Sequence, residues 1–292
     1  MSESPTDFGI LVGIDGSPES HAALRWAAQE AVMRNRPLTL MHVVEPILVT
    51  WPIDAVVTSF YEWQEDNAQN VIRQAQETLD ATLQDSTPPA VNLQLRHDGV
   101  VPELTDASDH AELLVIGSRG LGPVGGAVLG SVSRTILHHA HCPVVVTKEG
   151  VVRPQQPLPV LLGIDGSPAS ENATAFAFSE ASFRGVELIA LHAWSDAAVV
   201  PVLGKDWHQY EQQGHEILAE RLAGWQERYP DVRIQRRIVA DKPARWLIDE
   251  SRNAQLVVVG SRGRGGISSM LLGSVSTAVA ESALAPVAVV QG

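Results

Sequence analysis

Val12-Gly13-Ile14-Asp15-Gly16-Ser17-Pro18 returns, at an offset of 150, as Leu162-Gly163-Ile164-Asp165-Gly166-Ser167-Pro168. The run from Phe8 to Ile14 is apolar without interruption, which reads as a buried strand. It breaks at a Gly/Asp/Ser turn. Ser17 then suits an N-cap, and Pro18 fits the first helical position, where a missing N–H costs nothing. Strand, acidic turn and capped helix therefore open each half of the chain. Outward from this unit the first half continues in the same alternation. The helix runs to about Arg34, a strand covers Leu38 to Val44, and a connector rich in Pro, Val and Thr covers Glu45 to Phe60. An amphipathic helix is predicted from Tyr61 to Gln84 and a half-exposed strand from Val91 to Asp98. A short helix follows over Val101 to His110, then an apolar strand over Leu113 to Gly117. A glycine-rich loop leads to a helix from Ser131 to about His141, and Pro143 to Thr147 is the last strand. Strands alternating with helices imply βαβ units, a parallel sheet and helices on both faces.

The offset of 150 holds from Asp15/Asp165 to His42/His192 and falls to 143 from Asp98/Asp241 to Pro143/Pro286. The seven missing residues fall between His192 and Asp241, where an exposed segment tolerates length change. Residues 1–148 and 158–292 are expected to be two domains of one kind, joined by a Pro/Gln-rich, semi-rigid linker at 149–157.

The chain has 292 residues, 45% of them hydrophobic, and a net charge of −13. That charge disfavours nucleic acid and anionic membrane surfaces, both of which need a cationic face. A small anionic ligand stays open, because a few backbone N–H groups outweigh the global charge locally. The single cysteine, Cys142, permits no intrachain disulfide, as expected in a reducing cytoplasm. The first residues, Met1 to Phe8, show no secretory pattern, and no apolar run approaches the ~20 residues that span a bilayer.

The loop spacing carries the chemistry. Gly117, two residues, Gly120, nine residues, Gly130 and Ser131 match Gly260, two residues, Gly263, nine residues, Gly273 and Ser274. Glycines let backbone approach a ligand, and successive N–H groups form an anion nest. A helix starting at Ser131 or Ser274 adds unpaired N–H groups and its positive dipole end. Ser131, Ser133, Ser274 and Ser276 are expected to donate hydroxyl hydrogen bonds to phosphate oxygens. Tight turns and helix caps are the plain alternative for a single loop; two copies at matched spacing argue against it. Val132 and Val275 stand where a Walker loop has lysine, and Gly13-Ile14-Asp15-Gly16 lacks the dinucleotide spacing.

These motifs resemble the universal stress protein family, in its tandem, ATP-binding branch. The resemblance covers nearly the whole chain, once per half. It implies two Rossmann-like domains of the adenine nucleotide alpha hydrolase-like kind, each a five-stranded parallel sheet of order 3-2-1-4-5 flanked by helices. It implies that ATP binds once per half. Asp15 and Asp165 would sit near the ribose and any Mg²⁺, and Gly13 and Gly163 would give room beside the base. Val43 and Ala193 would offer backbone groups to adenine. The ribose and phosphates would be held by Gly117, Ser118, Arg119, Gly120, Leu121, Gly122, Pro123, Gly130, Ser131, Val132 and Ser133. In the second half the same role would fall to Gly260, Ser261, Arg262, Gly263, Arg264, Gly265, Gly266, Gly273, Ser274, Val275 and Ser276. Arg264 against Leu121, and Gly266 against Pro123, predict a tighter C-terminal site, since Pro123 removes an N–H.

Other residues carry weaker signals. His138-His139-Ala140-His141-Cys142 invites a metal, but its counterpart before Pro286 has no ligand-type side chain, so no metal site is expected. His42 and His192 recur and read as hydrogen-bonded structural histidines beside a ligand-adjacent alternative. Trp26, Trp225 and Trp246 are expected to pack in cores or interfaces. Asp98 and Asp241 either cap the next helix or reach the crevice rim. Two functions remain open: a nucleotide-binding regulatory module in the stress response, and a slow ATPase or phosphoryl-transfer enzyme using the same residues. The two halves are expected to form an internal pseudo-dimer through their last strands, and the chain could form a homodimer. The protein partner is not legible.

Overall fold

The computed structural model describes residues 8–46, 54–84, 86, 90–120, 129–150, 157–193, 207–263 and 272–292; for 54–60, 207–213 and 217 it describes only the backbone. The first half contains β1 (Gly9–Gly13), α1 (Pro18–Arg34), β2 (Leu38–Val43), α2 (Asp54–Thr82), β3 (Val91–Arg96), α3 (Val100–Ser108), β4 (Ala111–Gly117), α4 (Ser131–His139) and β5 (Val144–Thr147). All pairings are parallel, in the order β3-β2-β1-β4-β5. Ile10 is paired with Leu38 on one side and Leu113 on the other, and Leu114 with Val144. These residues are fully buried, as expected for strands covered on both faces.

The second half repeats the arrangement with β6 (Val160–Gly163), α5 (Pro168–Arg184), β7 (Leu188–Ala193), α6 (Trp207–Arg228), β8 (Ile234–Val239), α7 (Pro243–Glu250), β9 (Leu256–Gly260), α8 (Ser274–Ser282) and β10 (Val287–Val290). Its sheet order is β8-β7-β6-β9-β10, again parallel throughout. By contact density the chain divides into two units, Met1–Glu149 and Gly150–Gly292. In each unit the first strand is central. The chain leaves it toward one edge, then returns past it to the fourth strand. Helices of the outgoing and returning crossovers pack on opposite faces, α1 against α2 and α3 against α4. The strand order reverses between β1 and β4, and between β6 and β9, which opens a crevice beyond their C-terminal ends.

Three expectations are corrected. The helix predicted from Tyr61 begins seven residues earlier, at Asp54. Pro52 is the last breaker before it, and the β-branched residues that suggested a connector cost only tenths of a kcal/mol each within a helix. Val91 and Leu93, the apolar side of β3, are themselves exposed, because β3 is the outer strand of its unit's sheet. Trp246 is 39% exposed, whereas Trp26 is buried and Trp225 stacks on Phe178 at 5.8 Å. The shortening of the second half lies largely in its long helix: α6 has 22 residues against 29 in α2.

Two duplicated devices fix the helices and strands. Arg34 Nε donates to Glu30 Oε1 at 2.6 Å, and Arg184 Nη2 to Glu180 Oε2 at 2.7 Å, with both glutamates fully buried. His42 Nδ1 donates to the Ile14 carbonyl at 2.8 Å, and His192 Nδ1 to Ile164 at 2.7 Å. The recurrent histidines thus bind the end of the second strand to the end of the first, and neither lines a crevice.

Candidate functional site

Each unit has a crevice at its switch point, about 420 Å³ in the first and about 550 Å³ in the second. Both fall within the roughly 300–1,000 Å³ typical of small-molecule sites. The first is walled by the ends of β1, β2 and β4, the start of α3, and the loop and first turn of α4. The second is built from the corresponding elements.

The acidic turn has a fixed geometry. Asp15 Oδ1 accepts hydrogen bonds from Ser17 N at 2.9 Å and Ser17 Oγ at 2.6 Å. Asp165 Oδ1 does the same with Ser167, at 2.9 and 2.7 Å. The second carboxylate oxygen faces the glycine loop: a methyl group at Gly120 would lie 2.5 Å from Asp15 Oδ2, and one at Gly263 would lie 2.7 Å from Asp165 Oδ2. Glycine at these positions lets the loop close over the carboxylate.

Helices α1, α4, α5 and α8 start near the crevices, as do α3 and α7, and the caps of the first four differ. Ser17 and Ser167 cap α1 and α5, accepting from Ser20 N at 3.1 Å and Ser170 N at 3.3 Å. In contrast, α4 and α8 begin after Gly130 and Gly273 with no side-chain cap. Their first-turn residues line the crevices. Backbone N–H groups without intrahelical partners, and the positive end of each helix dipole, therefore sit at the cavity wall. The loop is tied down behind them. Ser118 N donates to Thr147 O at 2.7 Å and Gly130 N to Ser118 O at 2.8 Å, and the pairs Ser261–Val290 and Gly273–Ser261 repeat this at 2.7 Å each.

The serines divide by role. Ser133 Oγ donates to Gly117 O at 2.8 Å and Ser276 Oγ to Gly260 O at 2.6 Å. Their hydroxyl protons close the loop onto the strand, which corrects the expectation that they donate to a ligand. Ser118 and Ser261 are buried and do not line the crevices. Ser131 and Ser274 are exposed at the crevice wall. Gly13, Asp15, Val43, Gly117, Arg119, Gly120, Gly130, Val132, Gly163, Asp165, Ala193, Gly260, Arg262, Gly263, Gly273 and Val275 all line one crevice or the other. Leu121, Gly122, Pro123, Arg264, Gly265 and Gly266 lie outside the described residues.

Several lining residues escaped the sequence reading. Val100 and Leu104 in the first crevice, and Lys242, Arg245 and Leu247 in the second, come from the start of α3 and α7. The recurring Asp98 and Asp241 were the visible signal there. Neither lines a crevice, and Asp98 Oδ1 accepts from Gly99 N at 2.7 Å in an exposed turn. The residues just after them enter the site, because the third and seventh helices cross back beneath the central strands.

Among the described residues, which include His138, His139, His141 and Cys142, no group of three His, Cys, Asp or Glu is placed to hold an ion. Burial lowers the His138 pKa, and the charges of His139 and Arg134 lower it further. Burial also pushes the Cys142 thiol up to about 12.

The universal stress protein family matches residues 9–148 and again 158–291. A universal stress protein of Mycolicibacterium smegmatis is 51% identical over 292 residues, covering 100% of this chain and 99% of that protein. One from Mycobacterium tuberculosis (strain H37Rv) is 48% identical over 291 residues, covering 99% and 98%. The crystal structure of a universal stress protein from Archaeoglobus fulgidus superposes with a TM-score of 0.71 at 21% identity, covering 98% of this chain and 99% of that one, a likeness of fold.

Proposed function

The chain belongs to the universal stress protein family, and on that premise we propose that each half binds one adenine nucleotide, ATP with Mg²⁺, as a regulatory signal. The observation that carries this reading is the contrast in caps. Helices α1 and α5, which also start near the crevices, satisfy N–H groups with Ser17 and Ser167, while α4 and α8 present theirs uncapped at the crevice wall. An external anion satisfies them, and a phosphate chain is the anion that also suits a glycine loop.

The remaining walls match the other parts of a nucleotide. Val43, Val100 and Leu104 offer an apolar face to a base, as do Ala193 and Leu247. Asp15 Oδ2 and Asp165 Oδ2 accept from a ribose hydroxyl or meet the magnesium ion; so close to phosphate a bare carboxylate would otherwise repel. The glycines, with Ser131 and Ser274, hold the phosphates, and Arg119 and Arg262 lie beside them. Among the described residues each crevice is lined by a single carboxylate. Efficient phosphoryl transfer needs metal, clamp and a positioned nucleophile together, so this composition supports occupancy over turnover.

Heat-denaturing freshly purified protein and separating the supernatant by HPLC tests the proposal. Co-purified ATP is expected. ADP alone would favour hydrolysis. No nucleotide, together with no thermal shift on adding ATP and Mg²⁺, would overturn the reading.

A further inference from the structure

Among the described residues, the linings of the two crevices carry opposite charge. In the first, Arg119 Nη2 forms an ion pair at 2.9 Å with Glu19, whose side chain is only 10% exposed. Helix α1 runs so close beneath the loop that a methyl group at Gly117 would lie 2.8 Å from Glu19 Cβ. The corresponding contact in the second half is between Gly260 and Ala169. Arg262 thus meets no carboxylate there, and among the described residues it forms no ion pair. The second crevice gains two further lining cations, Lys242 and Arg245, where the first half has Gly99 and Pro102, which do not line. The only ion pair described for Arg245 is with Asp249 at 3.8 Å, on a largely exposed surface where solvent weakens it. Lys242 also holds a left-handed backbone, φ +51°, which favours glycine. The equivalent residue in the first half, Gly99, is extended at φ −66°, so the left-handed turn belongs to the second half. A strained lysine at a cavity wall suggests a role for its side chain there.

Among the described residues, the charged lining of the first crevice is therefore one aspartate and one arginine already neutralised by Glu19. That of the second sets three cations against one aspartate. From this we infer that the C-terminal crevice selects the more anionic adenine nucleotide, a polyphosphate, and that the N-terminal crevice accepts a monophosphate nearly as well. The inference rests on the nucleotide reading above. It makes the chain a comparator of two charge states of one nucleoside: the halves fill with different members of the same pool. Each cation brought within a few ångströms of a phosphate at a partly solvated wall changes affinity by roughly tenfold or less.

The test uses the full chain, with 2-azido-ATP and 2-azido-AMP as photoaffinity probes in EDTA, where the triphosphate is the more anionic of the two. Labelled peptides are assigned to each half by mass spectrometry across a concentration series. The expected result is an ATP-to-AMP preference about tenfold or more greater in the C-terminal half, shrinking as salt is added. Lys242→Gly restores the residue that the backbone favours, so it folds, and it is expected to lower that preference about threefold to tenfold in the C-terminal half alone. Glu19→Gln, which removes the carboxylate paired with Arg119, is expected to raise the preference of the N-terminal half. Equal preferences in the two halves, or labelling confined to one half by both probes, would overturn the charge division and leave the nucleotide reading standing. Absence of specific labelling in both halves by both probes, with Mg²⁺ added as well as in EDTA, would instead overturn the nucleotide reading itself.

Discussion

Gly263→Ala introduces one methyl group and tests the geometry on which the nucleotide reading depends. The new carbon would lie 2.7 Å from Asp165 Oδ2, and ordinary contact begins near 3.4 Å, so one partner must retreat by roughly 0.7 Å. A free carboxylate would swing aside at little cost. This one is held at its other oxygen by Ser167 N at 2.9 Å and Ser167 Oγ at 2.7 Å. Hydrogen bonds to a charged group contribute about 1.5–3 kcal/mol each, so losing the better part of one is the cheaper escape for the carboxylate. If the loop retreats instead, its N–H groups move off the phosphate by a similar distance. Either way the second site loses about 1.5–3 kcal/mol of nucleotide affinity, roughly ten- to a hundredfold. Calorimetric titration of the full chain with ATP and Mg²⁺ should resolve one site unchanged and one weakened by that factor, with far-UV circular dichroism unaltered. Two sites of wild-type affinity in folded Gly263→Ala protein would refute the argument that the loop closes on an anchored carboxylate.

Other perturbations bear on the frame that carries the sites. Glu180→Ala strands the buried Arg184 guanidinium and should destabilise the second unit by about 3–5 kcal/mol in urea denaturation, while Glu180→Gln should cost less. Gly224→Ala, in the interior of α6 with open space around it, should stabilise by about 1 kcal/mol in the same assay. Cys142, its thiol pushed up to about 12 by burial, should resist iodoacetamide at pH 8 until denaturant is added. The same shift has a sign in stability. The unfolded thiol, near 9, ionises first, so above pH 9 the unfolded state holds fewer protons and stability falls with rising pH toward 12. Cys142→Ala should flatten that part of a chemical-denaturation profile.

Much of the frame was legible because its signals are local. Ser17-Pro18 announces a helix start through cap and φ chemistry that needs no distant partner, and Gly9–Gly13 announces a doubly covered strand by its unbroken apolarity. The start of α2 was misplaced for the converse reason. Val56, Val57 and Thr58 have weak preferences of their own, and the helix absorbs them. Within the site, the glycines could be found from spacing, and at Gly117, Gly120, Gly260 and Gly263 a side chain would collide with Glu19, Ala169 or an aspartate oxygen. The direction of the Ser133 and Ser276 hydroxyls could not, because the acceptors at Gly117 and Gly260 lie sixteen residues away on another element.

From the chain alone came the duplication, the alternation of strand and helix, the anion-binding loop and its two copies. All of these rest on residue types and spacings that act over one turn or one strand. The tertiary structure decided the charge of each crevice. Glu19 reaches Arg119 across a hundred positions because α1 passes beneath the fourth strand, and Lys242 enters the second crevice because α7 crosses back under the sheet. Electrostatic neutralisation depends on distance in space, and in a parallel sheet that distance is set by the crossovers.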